Sequence, residues 1–166
     1  MRIRIATEDD LNAIDEIYNQ AIATHRATAD TVPYSKEERL SWYLDHDPEK
    51  YPFFVAEDSG KIVGYTYFTP YRGRRFALRY AAEISYFVHE DHLQQGIGSR
   101  MMEFALKVAP GLNIKYLVAI LIGNNDPSIG LLKKYKFSQW GLMPGIVDFD
   151  GDEYDHLYYG RRLGSD

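Results

Sequence analysis

The sequence predicts an α/β fold on one sheet of mixed strand directions, and three observations carry that expectation. Short apolar or alternating runs interleave with amphipathic runs in the order β-α-α-β-β-β-α-β-α-β-β. The 166 residues suffice for one domain with a substantial core but not for two ordinary ones, so residues 1–166 read as a single domain. Residues 116–122, "YLVAILI", are continuously apolar, as a strand covered on both faces requires.

Each element follows from local chemistry. Residues 2–6 alternate as a short strand. Thr7 reads as a helix cap with Glu8, Asp9 and Asp10 in the next turn, where carboxylates favour the helix dipole. Leu11, Ile14, Ile17, Tyr18 and Ile22 then recur at helical spacing. Ser35 and Glu38 have the spacing of a capping box, ahead of a second helix through Leu40, Trp42, Tyr43 and Leu44. Residues 52–57 and 61–69 are strands joined by the compact turn Asp58-Ser59-Gly60. A basic loop, "PYRGRR" at residues 70–75, precedes a long strand from about residue 79 to residue 88. Ile97, Met101, Phe104, Ala105 and Val108 mark a third helix that Pro110-Gly111 stop. After the 116–122 strand, "NNDPSIGLLKKY" opens a fourth helix. Its cap is Asn124, Asn125 or Asp126. Residues 140–147 and 154–159 close the sheet around a turn at 148–152.

Composition narrows the function. A net charge of −5 disfavours nucleic acid as a partner. The chain has no cysteine, which removes disulfides, a thiol nucleophile and cysteine-ligated zinc. The N-terminus lacks the apolar stretch of a signal peptide, and no apolar run reaches the length of a membrane span, so no membrane partner is expected and the expected location is cytoplasmic. His89 and His92 are the only histidines near ligand spacing, and beside Glu90 and Asp91 they read as surface residues, so no metal is expected. Tyrosines number 14, and those of the C-terminus (Tyr154, Tyr158, Tyr159) suit a subunit interface.

The stretch "HEDHLQQGIGSRMM", residues 89–102, places Gly96 and Gly98 between a strand and an amphipathic helix. As a bare turn this would be unremarkable. At a helix N-terminus, however, unpaired amides and the dipole form an anion site, and glycine lets a phosphate approach the backbone. The third glycine of a dinucleotide fingerprint is absent, and so is the Gly-Lys-Ser/Thr of a nucleotide-triphosphate loop. A pyrophosphate held by main-chain amides without a metal remains.

The run "ISYFVHEDHLQQGIGSRMM" resembles the acetyl-CoA motif of the GCN5-related N-acetyltransferases (GNAT). With "IATEDDLNAIDEIYNQAIATHRAT", "VAEDSGKIVGYTYFTPYRGRRFA", "AAEISYFV" and "NNDPSIGLL", nearly the whole chain resembles that superfamily's phosphinothricin and methionine sulfoximine acetyltransferase branch. The resemblance implies a GNAT-like, mostly antiparallel central sheet flanked by helices. It implies acetyl-CoA as acetyl donor, a small amine as acceptor, and a homodimer. Leu93, Gln94, Gln95, Gly96, Ile97 and Gly98 would hold the pyrophosphate. Tyr86, Phe87 and Val88 would pair with the pantetheine arm as a peptide adds to a sheet edge. Asn125 matches the family asparagine that contacts the cofactor, and Arg72 and Arg74 fall where this branch places substrate contacts.

Glu83 is the candidate catalytic base. It lies mid-strand in "YAAEISYFV" among apolar and aromatic residues, where burial raises a carboxyl pKa toward a useful value. An outward, solvated Glu83 or one paired with a nearby arginine fits the sequence equally, and the resemblance favours the base. The expected reaction is direct attack by the α-amine of a small amino acid or analogue. Acetylation of a peptide N-terminus, or acetyl-CoA binding without turnover, are the alternatives. Four positions depart from the family pattern. Leu93 stands for Gln or Arg, Gln94 for a common glycine, Leu132 for the usual tyrosine or histidine, and Lys136 for the glycine before Phe137.

Overall fold

The computed structural model describes residues 1–164. Its elements follow the expected order: β1 (Arg2–Ile5), α1 (Leu11–Ala23), α2 (Lys36–Leu44), β2 (Phe53–Asp58), β3 (Lys61–Pro70), β4 (Ala81–Val88), α3 (Ile97–Val108), β5 (Tyr116–Ile122), α4 (Asp126–Lys134), β6 (Ser138–Phe149) and β7 (Asp152–Arg162). The seven strands form one sheet in the order β1-β2-β3-β4-β5-β7-β6. Every pair is antiparallel except β4–β5.

The two faces are covered by different helices. On one, Met102 and Ala105 of α3 and Leu132 of α4 pack on Phe68, Ile84, Leu117, Ala119 and Leu157. On the other, Ile14, Ile17 and Tyr18 of α1 pack on Phe53, Val55 and Tyr65, with Trp42 and Tyr43 of α2 at the margin. Met101 and Met102 are fully buried, and each such side chain contributes about 1.5–3 kcal/mol of burial free energy.

Several boundaries differ from the sequence expectation, each for a local reason. Thr7 does not cap an α-helix directly. Its N–H donates to Asp10 Oδ2 at 2.8 Å across a 3-10 turn, and Arg4 clamps the same carboxylate with two hydrogen bonds of 2.7 and 2.8 Å. The strand expected from residue 79 begins at Ala81, because Phe76–Leu78 forms another 3-10 turn. β6 and β7 extend beyond 140–147 and 154–159, leaving a tighter turn. The capping box at α2 is present: the Glu38 N–H donates to Ser35 Oγ at 3.1 Å, and the Ser35 N–H donates to Glu38 Oε2 at 2.7 Å. The inward face of α2 is rotated by one residue from the expected one. Leu44 is 60 % exposed whereas Arg39 is buried, hydrogen-bonded to Asp15 and enclosed by the rings of Tyr18, Tyr34 and Trp42 at 4.6–4.8 Å. The C-terminal tyrosines do not form one outward patch: Tyr159 is buried in the core, and Tyr154 packs on the Val147–Phe149 cluster.

α4 ends in a Schellman motif. The Phe137 N–H bonds Leu132 O at 3.0 Å, and the Lys136 N–H bonds Lys133 O at 3.1 Å. This forces Lys136 to φ 61°, a left-handed conformation that suits glycine. Lys136→Gly is expected to stabilise the fold by about 0.5–1 kcal/mol, the relief of a strained L-residue less the greater entropy of unfolded glycine. Urea denaturation measures it. No helix among the described residues is long and apolar enough to cross a membrane.

Candidate active site

The sheet opens between its two parallel strands. β4 and β5 pair only at Ala81↔Tyr116, Ala82↔Leu117 and Glu83↔Val118, yet both strands run on, to Val88 and Ile122. β4 stays paired with β3 along its whole length. Beyond Glu83, therefore, its other edge presents backbone N–H and C=O groups with no strand partner. The gap is a cleft of about 500 Å³. Tyr86, Phe87 and Val88 line it from β4, and Ala119, Ile120 and Leu121 from β5. Leu93, Gln94, Ile97 and Gly98 line it from the loop and the start of α3, and Asn125 and Ser128 from α4. Gln95 and Gly96 flank this wall without lining it.

At the start of α3, Gly96 adopts φ 79°, and its carbonyl accepts the Arg100 N–H at 3.1 Å to close the first turn. The amides of Ile97, Gly98 and Ser99 precede that bond and have no acceptor within the helix. A Cβ on Gly98 would lie 3.4 Å from Leu131 Cδ2, so α4 packs against the glycine and a side chain larger than a methyl group would press on Leu131. Gln94 is held at φ 60°, which explains why glycine suits its position. Leu93 is extended and 49 % exposed. An array of free amides at a helix N-terminus, next to a free strand edge, fits a pyrophosphate followed by an amide-bearing arm.

The capping alternatives at α4 resolve to Asn125, whose Oδ1 accepts the Ser128 N–H at 3.3 Å. Asn124 instead donates from Nδ2 to the His25 carbonyl at 3.2 Å. Tyr86 hydrogen-bonds through its hydroxyl to Ser128 Oγ, joining β4 to α4 within the cleft. Burial pushes the Tyr86 hydroxyl up to about 12. Leu132, one turn further on, is fully buried in the core, so the position of the family's tyrosine or histidine is a packing position in this chain.

Glu83 is the last residue of β4 that pairs with β5. Its side chain shares a face with its register partners Thr69 and Val118, opposite to that of Tyr86. It is half-buried, and burial alone raises its pKa. No hydrogen bond or ion pair reaches its carboxylate among the described residues, which removes the arginine-pair reading. Arg72 and Arg74 are exposed in the β3–β4 loop and do not line the cleft. His89 departs from its expected surface placement: its side chain is only 16 % exposed and its ring contacts Gln20 of α1 at 3.1 Å. Among the described residues, no group of three or more His, Asp or Glu could hold a metal ion.

The acetyltransferase (GNAT) family profile matches residues 14–137. The chain belongs to the acetyltransferase (GNAT) family. The Bacillus subtilis protein YwnH is 40% identical over 98% of this chain and 99% of its own length. The L-methionine sulfoximine/L-methionine sulfone acetyltransferase of Salmonella typhimurium is 31% identical over 88% of this chain and 85% of its own. Among solved structures, a GNAT superfamily phosphinothricin acetyltransferase from Sinorhizobium meliloti, in complex with acetyl-CoA, is 28% identical with a TM-score of 0.92, covering 98% of this chain and 88% of that one. GNAT acetyltransferases use acetyl-CoA, and the free strand edge and amide-rich helix start of this acetyltransferase suit that molecule.

Two parts of the GNAT cleft escape the sequence reading. The end of α1 and the loop after it contribute Gln20, Thr24 and Ala27 to the wall, and Ser128 supplies the partner of Tyr86. No local pattern marks α1 for this role. Its place depends on a bond formed over a long stretch of chain, in which Gln20 Oε1 accepts the Glu90 N–H at 3.0 Å.

Proposed function

We propose that this GNAT acetyltransferase transfers the acetyl group of acetyl-CoA to the α-amine of a small amino acid or analogue, of the phosphinothricin or methionine sulfoximine type that its relatives' names describe. The observation that carries the reading is the unpaired, half-buried carboxylate of Glu83 at the point where the strands part and the free edge of β4 begins. A carboxylate with no partner and a raised pKa is a competent base for an ammonium group whose own pKa lies near 8. Glu83 takes that proton directly or through a water. Acetyl-CoA supplies the activated acetyl group.

The remaining residues position and polarise. The amides of residues 93–98 and the start of α3 hold the pyrophosphate. The backbone of Tyr86, Phe87 and Val88 pairs with the pantetheine arm, and Asn125 offers its Nδ2 group while Oδ1 caps α4. Arg72 and Arg74 are the candidates for the acceptor's carboxylate, for which a guanidinium fork is suited. Their loop starts next to Thr69, the register partner of Glu83. With Leu132 buried, the Tyr86 hydroxyl, bonded to Ser128 Oγ, is our candidate among the donors lining the cleft for a hydrogen bond to the departing thiolate. At neutral pH it keeps its proton. Tyr86→Phe is expected to lower kcat about tenfold, since solvent can replace the donor, with the acetyl-CoA Kd within a few-fold of wild type. Single-turnover kinetics and calorimetry measure the two.

The direct test mixes protein, acetyl-CoA and a panel of amino acids, including methionine sulfone and phosphinothricin, and follows free thiol. Acceptor-dependent release is the expected result. Acetyl-CoA binding with no release from any amine overturns the reading.

A further inference from the structure

We infer that the ring of Trp140, laid over Gly160 on the face of the sheet that carries Glu83, is the wall that receives the acceptor's side chain and sets its selectivity. The inference rests on the proposed role of Glu83 and names the part of the acceptor that the Glu83 face of the sheet would read.

Four observations place the ring. Glu83 is in register with Val118, Val118 with Gly160, and Gly160 with Ser138, and cross-strand register partners point to the same face. A Cβ on Gly160 would fall 2.0 Å from Trp140 Cε3, so the ring fills the space in which a side chain at 160 would stand, on the Glu83 face. Neighbouring strands lie about 4.8 Å apart. The Gly160 backbone is thus two strands, about 10 Å, from that of Glu83. The Glu83 side chain and the Trp140 ring over Gly160 stand on one face of the sheet with a gap between them the size of an amino acid. Val118, between them, is apolar and buried, so no polar group interrupts the floor.

The ring is also held ready. Trp140 occupies the bulge between Gln139 and Gly141, which turns it back over β7. Its Nε1–H donates to Ser138 Oγ at 3.1 Å, so its polar group is satisfied and its outer surface is left for apolar contact. That surface is open: Trp140 is 52 % exposed. α1 and α2 cover the same face only over β1 to β4, and further across the sheet Ile120, His156 and Tyr158 are half-exposed. An acceptor with its amine at Glu83 and an apolar or polarisable side chain on Trp140 fits this arrangement. An acceptor with no side chain gains nothing from the ring.

The test measures kcat/KM for glycine, alanine, methionine, methionine sulfone and phenylalanine with wild type, Trp140→Ala, Gly160→Ala and the double variant. Trp140→Ala is expected to lower kcat/KM for the larger acceptors about tenfold or more, with glycine and alanine within a few-fold and the acetyl-CoA Kd unchanged. Gly160→Ala, which must displace the ring, should produce the same selectivity change, and the double variant should be no worse than Trp140→Ala alone. An unchanged acceptor ranking in Trp140→Ala overturns the inference. So does a Trp140→Ala change confined to sedimentation behaviour, which would make the ring a subunit contact. If Gly160→Ala does not fold, Trp140→Ala and Trp140→Phe decide alone. Failure of wild type to acetylate any acceptor while it binds acetyl-CoA defeats the proposed function instead.

Discussion

Glu83→Gln lowers kcat/KM by about 10²- to 10³-fold, the range a positioned base contributes, and raises the Tm at neutral pH. The two effects have one cause. Burial with no partner raises the Glu83 pKa in the folded chain, so the fold binds this proton more tightly than the unfolded chain does. The contribution to stability is therefore fully present below the ordinary glutamate pKa and is lost as pH rises through the raised value. Above that value an ionised, unpaired carboxylate is a net cost, and glutamine removes it. Over the same window wild-type kcat/KM should rise with pH as the base ionises, and Glu83→Gln should lack that limb. Thermal melts and rate profiles from pH 5 to 9 measure both. A fall in Tm with unaltered activity would make Glu83 a structural residue.

The second large effect is expected at Gly98. Gly98→Val places a branched side chain where Leu131 already stands 3.4 Å from a Cβ and beside the free amides of α3. Hydrogen bonds to a charged group contribute about 1.5–3 kcal/mol each. Losing the equivalent of one raises the acetyl-CoA Kd roughly 10- to 100-fold. Leu131 is half-buried in the cleft wall and belongs to none of the core clusters, so the Tm should change little. Calorimetric titration of acetyl-CoA checks the affinity, and a Kd within twofold of wild type removes this helix start from the binding site.

The elements of the fold were legible because each is written locally. Ser35 and Glu38 announce α2, Pro110-Gly111 end the α3 region, and the 3.6-residue spacing from Ile97 to Val108 sets the buried face of α3. The same is true of the glycines: their conformational need and their position at a helix start are both visible in seven residues. What the sequence does not carry is the partner across space. That β4 and β5 separate after Glu83 depends on register between segments more than thirty residues apart. That Arg39 rather than Leu40 turns inward depends on Asp15 and three rings from other segments. Trp140 and Gly160 are ordinary strand residues until β6 and β7 pair. In the sequence Leu132 is only a departure from the family's tyrosine or histidine, and the packing of α4 shows it as the residue that closes a Schellman motif with Phe137.

The short β4–β5 ladder has a consequence for self-association. Sheets normally keep unsatisfied edges at their outer rims and blunt them with charge or proline. This sheet keeps one in its middle. A stray strand from another molecule would have to enter a slot walled by α3, α4 and the end of α1. The slot is braced where Asn124 bonds the His25 carbonyl and the His25 ring stacks on Phe149 at 4.7 Å. A thin, flexible ligand can thread that slot, whereas a polypeptide with side chains on both faces cannot. The edge is thus exposed to chemistry and closed to aggregation.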